Sequence, residues 1–265
     1  MITAELSAWL NAAQTAARRA AAVLESWRFR FNVREKGRAD LVTDADLASQ
    51  QAVRDELLGR FPDHGFLGEE GGRVEGSDGT HTWIVDPLDG TTNFLHGIPQ
   101  FAISIALERD KAIVAGLVYN PATDELFTAE RGKGAVLNDR RLRVAARHRL
   151  IDSVVACGLP HTGRGDLAQF RREFAQVQDK VAGLRRFGAA ALDLAWVAAG
   201  RFDAIWERDL AAWDMAAGLL MVREAGGYVT DLDGGDAMLE KGHIVAGNEA
   251  IHAALLKLLK ASGSD

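Results

Sequence analysis

The chain is short of cysteine and proline: Cys157 is its one cysteine, and 265 residues hold only five prolines. A single cysteine excludes an internal disulfide and a cysteine-rich metal site, so a reducing, cytoplasmic setting is expected. No uninterrupted apolar run approaches the ~18 residues that a transmembrane helix requires. Glu5 stands where a signal peptide would carry a basic and then an apolar region, so the amino terminus is expected to belong to the fold. Positive charge is not in excess either. The 31 Lys and Arg oppose 37 Asp and Glu, a net charge of −6, the wrong sign for a general binder of nucleic acid or anionic membrane. What remains is an ordinary globular composition, 48% hydrophobic and 26% charged. A chain of this length buries roughly three-quarters of its unfolded surface, enough for a full core without staples.

Leu6, Trp9, Leu10, Ala13, Ala17, Ala20, Leu24 and Trp27 recur at three- and four-residue intervals, which predicts an amphipathic helix over residues 1–28 with an Ala-rich stripe. Thr43 is placed to cap a second helix through Leu58, stopped by Phe61-Pro62. After a Gly-rich stretch, Thr82 to Val85 reads as a buried strand that gives way to loop chemistry at Asp86-Pro87. Short β-rich runs follow at 101–107, 113–119, 126–129 and 135–137, separated by turn residues, as in an antiparallel meander. Beyond the basic segment Arg143 to Arg149, strands at 154–157, 184–187, 204–206, 228–230 and 244–246 alternate with helices at 167–181, 190–199 and 215–225, and a last helix covers 251–259. Two α/β units are therefore expected, 1–146 and 147–265, the first with a mainly antiparallel sheet and the second with a mixed one.

Four features carry the chemistry: Gly68-Glu69-Glu70-Gly71-Gly72, the run WIVDPLDGTTNF from Trp83 to Phe94, Glu207, and Trp213-Asp214. Each places an acid at the end of a strand-like run or the start of a helix, and crevices of α/β folds collect at the carboxyl ends of strands. Converging carboxylates cannot all stay ionised without cations. Their all-oxygen character, with no His-Cys constellation nearby, favours magnesium over zinc. Pro87 withdraws one amide donor, so the chain can present the Leu88 carbonyl beside Asp86 and Asp89. Gly90 permits close approach, and the amides of Gly90 and Thr91 would open a helix whose amino end suits a phosphate.

Taken singly, each feature has a plainer reading. Asp46 is placed as a first-turn acid of its helix, Glu69 as part of a surface loop, and Asp214 as a stabiliser of a helix start. Asp231 to Asp236 resembles a calcium loop in part, but its glycine falls at the fourth place and no Glu stands at the twelfth, so a hairpin turn is expected. Arg185-Arg186 could grip phosphate, but the expected reading is a solvated strand edge or subunit contact. His96, His148 and His161 show no paired spacing and receive no role.

The motifs GEEGG, WIVDPLDGTTNF and WDMAAGLLMVREAGG, in that order, resemble the signatures of the inositol monophosphatase family from about Lys36 to Asn248. The resemblance implies the sugar-phosphatase fold of alternating αβαβα layers. It also implies a magnesium-dependent, lithium-inhibited phosphomonoesterase acting on inositol 1-phosphate, and a homodimer that needs neither nucleic acid nor membrane. Glu69, Asp86 and the Leu88 carbonyl would hold one magnesium, Asp86, Asp89 and Asp214 a second, with a third, looser ion near Glu69. Asp46 and Thr91 would join Glu69 in catalysis, Thr91 orienting the attacking water from a hydrogen bond to Asp46. Leu88, Asp89, Gly90 and Thr91 would line the phosphate, and Gly188, Ala189, Ala190, Glu207 and Asp214 the hydroxyls of the substrate. Ala189 departs from the family pattern, where many relatives carry Ser or Thr.

Histidinol phosphate and fructose 1,6-bisphosphate are alternative substrates of the same chemistry. A haloacid-dehalogenase-like phosphatase is disfavoured, because its two aspartates stand two apart near the start of the chain. A non-catalytic regulatory member of the fold is the reading from another class; the full set of acids and Thr91 speak against it.

Overall fold

The computed structural model describes residues 8–28, 33–37, 40–160 and 165–262, and of 33–37 and 40–43 only the backbone path. Leu6 of the expected first helix and His161 lie outside the described residues. In chain order the elements are α1 (Ala8–Trp27), β1 (Val33–Gly37), β2 (Asp40–Thr43), α2 (Asp44–Arg60), β3 (Gly65–Gly68), β4 (Gly72–Val74), β5 (His81–Asp89) and α3 (Thr91–Leu95). Then come β6 (Ala102–Arg109), β7 (Ala112–Asn120), β8 (Glu125–Glu130), β9 (Gly134–Leu137), β10 (Arg140–Arg141), β11 (Val154–Cys157), α4 (Leu167–Gln178) and β12 (Gly183–Arg185). The chain continues through α5 (Ala190–Ala198), β13 (Ala204–Glu207), α6 (Ala212–Glu224), β14 (Tyr228–Thr230), α7 (Met238–Lys241), β15 (Ile244–Gly247) and α8 (Glu249–Ala261). Among the described residues, no helix is long and apolar enough to cross a membrane.

Strands β3 to β10 form one eight-stranded sheet in the order β10-β9-β8-β7-β6-β5-β3-β4. Its neighbours are antiparallel except β3 and β5, which run parallel with Gly65 opposite Thr82 and Gly68 opposite Val85. The second sheet, β12-β11-β13-β15-β14, is mixed: β11 is parallel to both β12 and β13, while β15 is antiparallel to β13 and β14. The expected boundary at 146/147 falls in the segment between β10 and β11.

The layers follow from which side chains each strand sends to which face. In β6, Ile103, Ile105 and Leu107 join the core with α1 and α2, while Ala102 and Ala106 join the core with α5 and α6. The large-side/small-side alternation lets α6 lie close to the sheet. At Gly116 of β7 a Cβ would sit 3.0 Å from the Ala217 carbonyl oxygen of α6, so the contact is backbone to backbone. Each fully buried Ile or Leu contributes about 1.5–3 kcal/mol. On the far side of the second sheet, α4 and α8 cover Val155, Trp206 and Val245. The order is thus α1/α2, large sheet, α5/α6, small sheet, α4/α8.

The strand expected to end at Val85 continues to Asp89. Asp86 pairs with Ser104 and Asp89 with Ala102, so three steps on β5 face two on β6. The extra residue is a β-bulge, and Pro87, which has no N–H for a ladder, sits inside it. The helix expected from Met215 starts at Ala212, which puts Asp214 in its first turn. The strand expected over 184–187 ends at Arg185, and Phe187 stacks instead on Phe202, with centroids 5.7 Å apart. The hairpin β1/β2 and the strands β3, β4 and β10 were not expected. The acidic turn after β14 is built around Asp231, whose Oδ1 accepts from the amides of Asp233 and Gly235. The Lys241 ammonium lies 2.8 Å from Asp231 and 2.7 Å from Asp233, a cation from the protein itself.

Candidate active site

The bulge in β5 turns Asp86 and Asp89 to the same region, between the large sheet and the amino ends of α5 and α6. Leu88 N donates to Asp86 Oδ1 at 2.9 Å, and Ser49 Oγ of α2 donates to the Pro87 carbonyl at 2.9 Å, so the bulge is pinned from both sides. Asp89 Oδ2 accepts from Ala191 N at 2.8 Å. That amide belongs to the first turn of α5, whose N-cap residue Ala189 has no side chain able to bond it. Asp89 therefore caps a helix from another layer, and the positive end of the helix favours its ionised form.

Asp46, in the first turn of α2, is 1% exposed. Thr91 Oγ1 lies 3.3 Å from Asp46 Oδ1 and 3.2 Å from the Leu88 carbonyl. A hydroxyl has one proton, so when it donates to one acceptor its oxygen can still accept from a third partner. Asp46 is thus the first-turn acid of the plainer reading and also the acceptor for the Thr91 hydroxyl. Asp214 stands at a helix start as its plainer reading has it: its Oδ2 accepts from Ala211 N at 2.8 Å at the start of α6.

Electrostatics shows which acids converge. Asp86 and Asp89 are 2% and 8% exposed. Burial raises the pKa of Asp86 well above the usual carboxylate range, and the charges of Glu69, Asp89 and Asp214 raise it further against the Leu88 N–H. Burial likewise raises Asp89, helped by Asp214, Glu207 and Glu69, against the Ala191 N–H. The charges of Glu69, just past β3, of Asp214 in α6 and of the two β5 aspartates thus oppose one another here, with Glu207 of β13 acting on Asp89. Ionised together they require a cation, and a carboxylate and carbonyl donor set suits a hard ion such as magnesium.

Beside them opens a cleft of about 150 Å³ lined by Asp89, Arg186, Gly188, Ala190, Glu207 and Asp214. Gly90, at φ 88°, sits where a Cβ would lie 2.9 Å from the Gln100 carbonyl and 3.3 Å from both Ala189 Cβ and the Gly188 carbonyl. Only glycine fits there, which seats the start of α3 against the Gly188-Ala189 turn. The helix expected to open at Gly90-Thr91 is α3, five residues long. Ala189 is 1% exposed with its methyl against Gly90, so what it can offer a ligand is backbone.

Several residues of this region were given no individual role from the sequence. Asn93 Nδ2 donates to the Gln100 and Phe187 carbonyls at 2.6 and 2.7 Å, tying α3 to the turn before α5. Buried Glu173 of α4 accepts from Arg208 Nε at 2.7 Å and Trp206 Nε1 at 3.1 Å, and Glu173 and Arg208 both line the cleft. Arg186, weighed as a phosphate grip but expected as a strand edge or subunit contact, lines it too.

The inositol monophosphatase family matches residues 5–264. This chain belongs to that family. It is 61% identical over 225 residues to an inositol-1-monophosphatase of Rhizobium meliloti (strain 1021), covering 85% of each chain. It is 47% identical over 234 residues to Nus factor SuhB of Pseudomonas aeruginosa, covering 87% of this chain and 86% of that one. The crystal structure of extragenic suppressor protein suhB from Bartonella henselae superposes with a TM-score of 0.93 at 52% identity, over 96% of this chain and 99% of that one. Family membership and these relatives make the protein an inositol-phosphate phosphatase, and its layered mixed α/β fold is the family's.

Proposed function

We propose that the protein is a magnesium-dependent phosphomonoesterase that hydrolyses inositol 1-phosphate to inositol and phosphate by direct attack of water. The observation that carries this reading is the mutual repulsion of Glu69, Asp86, Asp89 and Asp214 beside the Thr91–Asp46 hydrogen bond. Glu69, Asp86 and the Leu88 carbonyl would hold one ion and Asp86, Asp89 and Asp214 a second, with a third near Glu69. Bound magnesium would supply Lewis-acid activation and neutralise charge that develops on the phosphate.

The chain's own groups do the rest. Thr91 gives its proton to Asp46, so its oxygen accepts a hydrogen bond from the attacking water and holds that water in line. The amides of Gly90 and Thr91 bind the phosphate oxygens. Gly188, Ala189 and Ala190 present backbone, and Glu207 and Asp214 carboxylates, to the hydroxyls of the ring. As the water oxygen bonds to phosphorus, one water proton passes to Thr91 Oγ1 as the Thr91 proton passes to Asp46; the ester P–O bond breaks, the leaving alkoxide takes a proton from solvent, and Asp46 returns its proton to solvent. No phosphoenzyme is needed.

The test is phosphate release from inositol 1-phosphate, histidinol phosphate, fructose 1,6-bisphosphate and adenosine 3′,5′-bisphosphate, with and without magnesium. Magnesium-dependent release, fastest from inositol 1-phosphate, supports the reading; a faster partner in the panel moves the substrate and keeps the site. Lithium inhibition, a homodimer and a cytoplasmic setting go with the same reading, the last consistent with buried Cys157, whose thiol burial pushes up to about 12. A second reading, a Nus-factor role beside catalysis, is favoured by the relatives named Nus factor SuhB. It predicts that Asp86→Asn abolishes phosphatase activity and leaves that role intact.

A further inference from the structure

At the opposite end of β3 and β5 from Glu69 and Asp86 stands a second cluster. His64 immediately precedes β3 and His81 begins β5; since Gly65 is opposite Thr82, the two histidines are neighbours across the parallel pair. Their rings stack with centroids 4.5 Å apart. Asp78, in the turn that leads into β5, faces both: its Oδ2 lies 2.8 Å from His81 Nδ1 and 3.8 Å from His64 Nε2. One ligand atom from each of the three lies within 4.8 Å of the other two. Five residues along each strand at about 3.3 Å per residue put this cluster about 16 Å from the carboxylates.

We propose that His64, Asp78 and His81 form a separate site for an exchangeable divalent ion of the zinc class. Two imidazoles and one carboxylate are the donors zinc prefers and magnesium does not. Around a tetrahedral ion with bonds of about 2.0–2.1 Å, donor atoms stand about 3.3–3.4 Å apart, and the two Asp78 distances bracket that value. The carboxylate is already aimed: Asp78 Oδ1 accepts from the amides of Thr80 and His81 at 2.9 and 3.0 Å, which leaves Oδ2 for the histidines. Those same amide bonds, His81 first, hold Asp78 at about 2, so the ligand is ionised at neutral pH. Burial, then the neighbouring His81, lowers the pKa of His64, so it is neutral and able to bind an ion.

Aromatic rings of Phe61, Trp9 and Trp83 wall the cluster. With side chains 10%, 24% and 19% exposed for His64, Asp78 and His81, solvent still reaches it, and a water can complete the coordination. Among the described residues, the outer ring nitrogens His64 Nδ1 and His81 Nε2 have no protein acceptor. The site therefore lacks the outer hydrogen bonds that tighten permanent zinc sites, which is why the ion is expected to exchange.

The experiment titrates Zn²⁺ against a competing chelator under saturating magnesium, in an Asp86→Asn background that disables the other proposed centre. One equivalent of zinc should bind and raise the melting temperature. Adding His64→Gln should weaken that binding by more than ~100-fold, the upper end of what loss of an outer partner alone costs. Should His64→Gln not fold by circular dichroism, Asp78→Asn replaces it, since the amide oxygen keeps the two backbone bonds and only the ligand oxygen is lost. Zinc binding that is absent from Asp86→Asn, or unchanged by the cluster substitution, overturns the proposal.

Discussion

The backbone N–H of Glu69 donates to the Val85 carbonyl at 3.2 Å, which sets the Glu69 carboxylate beside Asp86 where β3 ends and β5 bulges. Asp86 is the most enclosed of the converging acids and feels three of the others. Asp86→Asn keeps its shape and the hydrogen bond from Leu88 N but removes one negative charge from the point of convergence. Phosphate release should fall by at least ~10²–10³-fold, as on loss of one charge-stabilising group, with the melting temperature in magnesium-free buffer held or raised. Glu207→Gln, at the rim of the cleft, should mainly raise KM. Equal kcat losses in the two variants would contradict the assignment.

Thr91 is expected to act through its hydroxyl. Thr91→Val should lower kcat by about 10²–10⁴-fold, the range for a positioned proton-transfer group, while Thr91→Ser retains most activity. Asp46→Asn should resemble Thr91→Val in kcat. A Thr91→Val enzyme with unchanged kcat would remove Thr91 from the reaction.

The ion-free protein should lose stability as pH rises. The unfolded chain releases the proton of Asp86 near 3.8, but in the fold burial, then Glu69, Asp89 and Asp214, hold it to higher pH. Between those two values the folded state binds more protons than the unfolded one, so stability falls with increasing pH. Asp89 acts in the same sense. Melting curves in chelator from pH 4 to neutral should slope downward, and magnesium should flatten the slope by binding the ionised form. A flat profile in chelator would show that the acids do not oppose one another.

Asn93 ties the Gln100 and Phe187 carbonyls together with one amide. Asn93→Leu leaves both without that donor in a buried setting, at a cost of about 1–3 kcal/mol each. The urea midpoint should drop accordingly, and KM should rise because the Phe187 carbonyl precedes Gly188. An unchanged midpoint would mean water replaces the amide.

Much of the scaffold was legible because period and burial agree. The α1 stripe, the β6 to β9 meander and the alternation after Val154 each repeat over enough residues to fix their type. The bulge was not, because Pro87 inside a strand reads as a strand's end; only the pairing with β6 shows the ladder resuming at Asp89. The strand β3 hides in Gly65-Phe66-Leu67-Gly68, where glycine is required by packing: a Cβ at Gly68 would meet the Gln50 side chain. The acids of WIVDPLDGTT and Asp214 could be singled out one by one, but their convergence depends on how sheet and helices stack. Glu173, and the approach of His64 to Asp78 and His81, have no local pattern, since those partners lie on other elements.

The helices α5 and α6 are covered by the large sheet on one side and the small sheet on the other, and they share one continuous core with both. Peeling either sheet away would wet the same alanine-rich surface and strip α5 of the Asp89 carboxylate that caps it. Damage to one half is therefore felt by the other at once. Fluorescence from Trp83 in the large sheet and Trp206 in the small one should trace a single, superimposable melting curve, and an enzyme that has begun to unfold anywhere in these layers has already dismantled its cleft.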